Sequence, residues 1–346
     1  MAPRRTRYGT GHADLDAQIQ DLIEAAGIAQ DRDLVFEIAV SALRMGREAT
    51  DRGDLKLVNS ALKELRHTFF TFEPYNDVPK VSIFGSARVE PDQPAYGVAR
   101  DFGARMVEHG WMIISGAGPG IMEAAIEGAG ADAAFGVNIV LPFEASTSRL
   151  LDDDPKLINF RYFFTRKLTF VKESKAFALL PGGFGTMDEA FELLTLMQTG
   201  RSSICPVVLL EPEGGTYWQT WRSFVERELL DRGLVNATDL DLVRQCSTVD
   251  EAVQEITNFY RRYHSMRYVG RRLIVRLRSD VSDEELETLN RDFADIVVDG
   301  AIERAPASDS EIEDDDVADL PRLAFRFDRW HYARLRHFIN ALNSVA

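Results

Sequence analysis

The chain has 346 residues and a mass of 38.9 kDa, longer than one compact domain usually runs, so two or three structural units are expected. Hydrophobic residues at 45% and charged residues at 27% fit a globular protein and exclude general disorder or a fibre. A formal charge of −15 disfavours non-specific nucleic-acid or anionic-membrane binding, since phosphate backbones demand a basic footprint.

The N-terminus, MAPRRTRYGTGHADLD, has basic residues but no apolar segment behind them, so it does not have the form of a signal peptide. The longest apolar runs, 177–180 and 206–210, fall far short of a membrane span, and a cytoplasmic protein is expected. Cys205 and Cys246 lack metal-ligand spacing and are expected to be buried thiols; the six histidines are scattered, so no metal site is expected.

Residues 15 to 70 carry helical apolar spacing, first Leu34, Ile38, Ala42 and Met45, then Leu55, Val58, Leu62, Leu65 and Phe69. They form an N-terminal helical region, 1–76, closed by the proline-containing linker FEPYNDVPK. From Val81 the pattern changes to short apolar strands (VSIFGS, WMIIS, FGVNIVL, AFALL, PVVLL) alternating with helices around 96–109, from Pro119, around 161–173, from Thr186 and around 217–230. Such alternation predicts an α/β fold, a Rossmann-like doubly wound parallel sheet over 77–265, with strands apolar on both faces because both are covered. Residues 250–265 read as its closing helix. The remainder, 266–346, reads as a small α+β module of βαββα order: a strand RRLIVRLRS, a helix opened by a Ser282–Glu285 capping box, an acidic loop over 307–319, a strand RLAFRFD and a last helix from Trp330.

Two strand-to-helix turns are rich in glycine, SGAGPGIMEAA (115–125) and PGGFGTMDEAFE (181–192). In an open parallel sheet such turns gather at the carboxyl edge, where backbone amides and helix starts favour an anion, and phosphate is the natural guest. A dinucleotide fingerprint fails because Ile121 stands where its third glycine belongs; Pro119 suits a first helical position instead. Neither turn ends in the Gly-Lys-Ser/Thr of a P-loop. The pair Thr186 and Glu189 has capping-box spacing, which gives Glu189 a structural reading; the functional one sets its carboxylate about a sugar's width from a phosphate held by the amides of Gly182, Gly183, Gly185 and Thr186. Upstream, Lys172 and Lys175 read as a solvated helix face. Arg166 and Lys167, flanked by aromatics, are expected to be partly buried and to need an anionic partner, a phosphate or Glu189.

At these residues the sequence resembles the LONELY GUY (LOG) family, whose hallmark Pro-Gly-Gly-x-Gly-Thr-x-x-Glu stands here without gaps as Pro181 to Glu189. The likeness extends to VSIFGSAR, GAGPGIMEAA, GVNIVLPFE, FFTRK, FELLTLMQTG and CPVVLLEP followed by Tyr217-Trp218, and covers about residues 78–262. It implies phosphoribohydrolase activity on nucleoside 5′-monophosphates, AMP or related purine nucleotides or cytokinin ribotides, with no metal and no organic cofactor. Arg166 and Glu189 would be the catalytic pair. Gly182, Gly183, Gly185 and Thr186 would bind phosphate; Ser86, Gly116, Gly118, Gly120, Met122, Lys167 and Glu192 would complete the nucleotide site, with Gln198 in support. No nucleic acid or membrane partner is implied, and a homodimer or larger homo-oligomer is.

Three features depart from the family pattern. Ala117 replaces the middle glycine of the first turn and is expected to narrow or reshape the pocket. Segment 143–160 is less like its counterpart. The terminal regions lie outside the likeness to the short cytokinin-activating members, place the chain nearer the longer bacterial branch, and are expected to build or regulate an oligomer. A reading from another class is a nucleotide-binding sensor that keeps the fold and phosphate loop, with the C-terminal module as output.

Overall fold

A computed structural model describes residues 8–48, 50–140, 149–314 and 317–344. Residues 141–148, which hold the end of FGVNIVL and the start of segment 143–160, lie outside the described residues, as do 315 and 316 of the acidic loop. The chain forms two compact units, one up to Arg66 and one from His67 onward.

In the first unit, α1 (Ala13–Ala25) packs on α2 (Arg32–Arg47) through Ile19, Ile23, Phe36 and Val40. The expected stripe lies on the other side of α2, where Leu34 and Ile38 remain 55% and 53% exposed. Phe36 and Val40 share helical spacing just as well, so periodicity alone selected the wrong face. Helix α3 (Arg52–Phe72) leads from this unit into the next, and its Leu55, Val58, Leu62 and Phe69 are also exposed.

The second unit is built on a seven-stranded, fully parallel sheet of β1 (Lys80–Phe84), β2 (Met112–Ser115), β3 (Ala134–Ile139), β4 (Leu157–Phe160), β5 (Ala176–Leu179), β6 (Val207–Leu210) and β7 (Arg244–Cys246), in the order β4-β3-β2-β1-β5-β6-β7. The chain steps outward from β1 to β4 on one side, returns to lay β5 beside β1, and steps outward again on the other. The reversal between β1 and β5 is the topological switch point.

One face of the sheet is covered by α4 (Pro94–Glu108), α5 (Ile121–Ala129) and α9 (Val249–Phe259), which bury Phe102, Ile121 and Ile256 against Ile83, Ile113 and Val208. The other is covered by α6 (Phe163–Glu173), α7 (Phe184–Gln198) and α8 (Tyr217–Phe224), through Phe170, Leu193 and Trp218 against Phe84, Phe177 and Leu209. Coverage of both faces explains why β1, β2, β5 and β6 are buried at every position. Cys205 and Cys246 are buried free thiols, each pushed up to about 12 by burial.

The tail differs from its expected order. Helix α9 stops at Phe259, and the residues read as its continuation enter β8 (Tyr263–Val269), which pairs antiparallel with β9 (Arg272–Leu277). After them come α10 (Asp283–Asp292), β10 (Glu303–Arg304), α11 (Asp309–Glu313), β11 (Arg322–Phe325) and α12 (Tyr332–Ser344), so the order is ββαβαβα around a sheet β10-β11-β9-β8. The predicted Ser282–Glu285 capping box is present on α10. The acidic stretch contains a second one, Ser308–Glu311 on α11, and Glu311 is fully buried, accepting from Arg276 at 3.0 and 2.8 Å with Arg322 3.6 Å away. Phe325 and Phe338 of this module continue the same apolar core as the second face of the parallel sheet.

Candidate active site

Three turns meet at the switch point, following β1, β2 and β5. Backbone hydrogen bonds stitch them together: Leu180 N donates to Phe84 O at 2.8 Å, Ser86 N to Pro181 O at 3.1 Å, and Ile121 N to Ser86 O at 3.1 Å. Two glycines permit this closeness. At Gly120, with φ +70°, a Cβ would stand 2.5 Å from Ser86 O, and at Gly182 it would overlap the Thr186 side chain. Gly120 is also the cap of α5, so Pro119 precedes the helix rather than starting it. On α7 the cap is Gly183 and the helix starts at Phe184. Thr186 therefore sits buried inside the first turn, and the Thr186–Glu189 capping box does not form.

The turns open on a cleft of about 1100 Å³. Of the anticipated residues, Ser86, Gly116, Gly118, Met122, Arg166, Gly182, Gly183, Gly185, Thr186 and Glu189 line it. Beyond the Cα of Gly183 and Gly185 no described atom stands within 4 Å, so among the described residues the first turn of α7 is open, the setting in which unpaired amides and the helix dipole attract an anion. Arg88, which sequence reasoning passed over, also lines the cleft and has no ion-pair partner among the described residues.

Glu189 projects from the second turn of α7 toward α6, its side chain 9% exposed. There Arg166 Nη1 lies 3.5 Å from Glu189 Oε1, and Lys167 Nζ lies 3.0 Å from Oε2. The anionic partner that these cations required is thus Glu189. Arg166 is held on its other sides as well: its Nε donates to Val137 O at 2.8 Å and its guanidinium stands 5.1 Å over the Phe170 ring. Burial pushes the Arg166 guanidinium down, opposed by Glu189. Burial pushes the Glu189 carboxyl up, and Lys167 and Arg166 pull against it without overcoming the desolvation. For Lys167 burial acts downward, but hydrogen bonds to Glu192, Asp188 and Glu189 together raise it.

The remaining anticipated residues stand behind the cleft. Lys167 is enclosed by Asp188 at 2.9 Å and Glu192 at 2.8 Å as well as Glu189, so Lys167 and Glu192 brace the acid from outside the lining. Gly120 lies beneath the Ser86 turn. Gln198 donates to Asp239 at 2.5 Å and lines a different, apolar cavity. Ala117, expected to intrude, does not: its methyl is fully buried against Ile126, Ala134 and Leu151, outside the cleft lining. The departure instead costs backbone strain, since Ala117 has φ +54°.

Two residues that lie within the quoted likeness but were given no role there complete the frame. The Tyr217 hydroxyl donates to Gly182 O at 2.6 Å, and the buried Glu211 carboxylate accepts from Tyr217 N at 2.9 Å and Trp218 N at 3.1 Å, anchoring the start of α8. The sequence signal is an acid closing an apolar strand six residues before a Tyr-Trp pair. Among the described residues no group of three or more His, Cys, Asp or Glu side chains is arranged to hold a metal ion.

Comparison with known proteins follows the same residues. The profile of a family described as possible lysine decarboxylase matches residues 120–256. The cytokinin riboside 5′-monophosphate phosphoribohydrolase of Mycobacterium tuberculosis is 30% identical over 159 residues, 45% of this chain and 82% of that protein. The cytokinin riboside 5′-monophosphate phosphoribohydrolase LOG1 of Arabidopsis thaliana is 31% identical over 101 residues, 29% of this chain; the match spans 46% of the plant protein, less than half its length. With the hallmark from Pro181 to Glu189 lining the cleft and a relative matched over most of its length, the chain belongs to the LONELY GUY (LOG) family.

Proposed function

We propose that the protein hydrolyses the N-glycosidic bond of nucleoside 5′-monophosphates, purine nucleotides such as AMP or cytokinin ribotides, giving free base and ribose 5-phosphate. The observation that carries this reading is the placement of the Arg166–Glu189 pair beside an open, glycine-lined helix start in one cleft. The 5′-phosphate lies against the amides of Gly183, Gly185 and Thr186, which sets the ribose toward Glu189. As the bond from C1′ to the base nitrogen breaks, its electron pair leaves with the base, which takes up a proton, and water supplies the new C1′–O bond. The carboxylate of Glu189 stabilises the oxocarbenium-like centre or takes the water's proton, and Arg166 holds that carboxylate in place.

A decarboxylase that works through pyridoxal phosphate needs a lysine to bind it, and no lysine is among the described residues lining the cleft, so the family's decarboxylase description gains no support there. The proposal includes a cytoplasmic homo-oligomer; the exposed Phe163, Phe164 and Leu168 of α6 and Phe184 of α7 are the apolar surface that supports assembly.

The test is incubation of the purified protein with AMP, GMP, CMP, UMP and isopentenyladenosine monophosphate, with free base measured by chromatography. Base release from one or a few supports the reading and names the substrate. No release, with a nucleotide-induced rise in melting temperature, overturns it in favour of a nucleotide-binding sensor.

A further inference from the structure

At the opposite, amino edge of the parallel strands, a second cavity of about 430 Å³ lies between the sheet and the C-terminal module. Its walls come from the end of α6, the connection from α7 to β6, and β8. They carry Lys172, Lys175, Arg201 and His264 and, among the described residues, not one Asp or Glu, on a chain whose net charge is −15. Lys172 is already matched, at 2.5 Å from Glu173 and 4.8 Å over the Phe69 ring. Lys175 and Arg201 are not: neither has a carboxylate within ion-pair distance among the described residues. Ser202 and Ser203 add hydroxyls beside Arg201.

Part of this charge complements the carbonyl ends of α6 and α7. That role explains single cations at helix ends; it does not explain why the exposed Lys175 and Arg201 both line one cavity whose described lining holds no Asp or Glu. A concave, walled space with unmatched cations and hydroxyl donors has the chemistry of an anion receptor. We infer that this cavity binds a small phosphorylated metabolite carrying two or more negative charges, held by Lys175 and Arg201, at a site separate from the cleft.

The inference is tested by calorimetric titration of the full chain with inorganic pyrophosphate. Three proteins are compared: wild type, the double variant Lys175→Glu/Arg201→Glu, and Gly183→Asp, which places a carboxylate in the cleft turn while keeping a favourable helix cap. Wild type and Gly183→Asp are both expected to bind pyrophosphate at the cavity, and the double variant is expected to lose that event or weaken it at least tenfold with its melting temperature unchanged. If charge reversal unfolds the protein, Lys175→Gln/Arg201→Gln replaces it and the same loss is expected. Abolition of all pyrophosphate binding by Gly183→Asp, or undiminished binding by a folded double variant, overturns the inference. Neither result depends on whether the cleft hydrolyses nucleotides.

Discussion

The hydroxyl of Tyr217 donates to the carbonyl of Gly182 at 2.6 Å, so the glycine turn after β5 is held by the first residue of α8, 35 positions further along the chain. The contact fixes the peptide that leads into Gly183, and thereby the direction of the amides at the head of α7. Tyr217→Phe keeps the ring and removes the bond. We expect a loss of about 1 kcal/mol in stability and a several-fold rise in KM for the nucleotide with a smaller fall in kcat, read from thermal melts and steady-state kinetics. An unchanged KM would leave Tyr217 with a packing role alone.

The paired variants Glu189→Gln and Arg166→Ala address the chemistry. Each is expected to lower kcat by a factor on the order of 100 or more while the protein remains folded. Unaltered base release in either variant removes that residue from the mechanism.

The pH profile follows from the electrostatics of the acid. Because burial raises the Glu189 carboxyl, a rate that needs it ionised should lose its acid limb at a pH above the ordinary carboxylate value of about 4.3. Lys167 favours the ionised form, so Lys167→Met should move that limb to still higher pH. A carboxyl raised on folding adds stability below its unfolded pKa and loses that contribution as pH rises through its folded pKa. Glu189→Gln relieves that cost at neutral pH but leaves the buried Arg166 without its facing carboxylate, so its melting temperature is measured beside its kinetics to separate the structural effect from the catalytic one.

Adjacent glycines should behave differently. Gly182→Ala drives a methyl into Thr186 and should cost roughly 1 to 3 kcal/mol. Gly183→Ala meets no described atom within 4 Å and should cost only the N-cap preference of glycine over alanine, about 0.5 to 1 kcal/mol, yet raise KM by standing where the proposed phosphate lies. Equal melting temperatures for the two variants would contradict the geometry.

The central strands were legible because burial on both faces leaves an unbroken apolar run, as in VSIF and AFAL. The sheet's edges were not: β4 and β7 are three or four residues long and partly exposed, and LINF or RQC carries no such signature. The first three residues of β8, Tyr263 to Ser265, were read as the end of the closing helix because the strand is mostly half-buried and follows a true helix after only three residues. At the site, the spacing of Thr186 and Glu189 fitted two readings equally. What separates them is the start of α7 at Phe184 and the cations of α6, a relationship between elements that no local spacing contains. The roles of Tyr217 and Glu211, both within the quoted likeness, were missed for the same reason.

The cluster around Glu189 contains two cations, Arg166 and Lys167, and three carboxylates, Asp188, Glu189 and Glu192, which leaves one net negative charge. An anionic substrate therefore gains no Coulombic attraction from this group as a whole. In the function proposed above, its phosphate is recognised by the fixed dipoles of neutral backbone amides at the head of α7, with Arg88 as a further cation in the lining. Dipoles at contact range are screened far less by dissolved salt than separated charges are. Binding at this cleft should consequently vary little with ionic strength, and the acids beside the glycine turn are tolerated because all but one of their charges are answered from the helix next door.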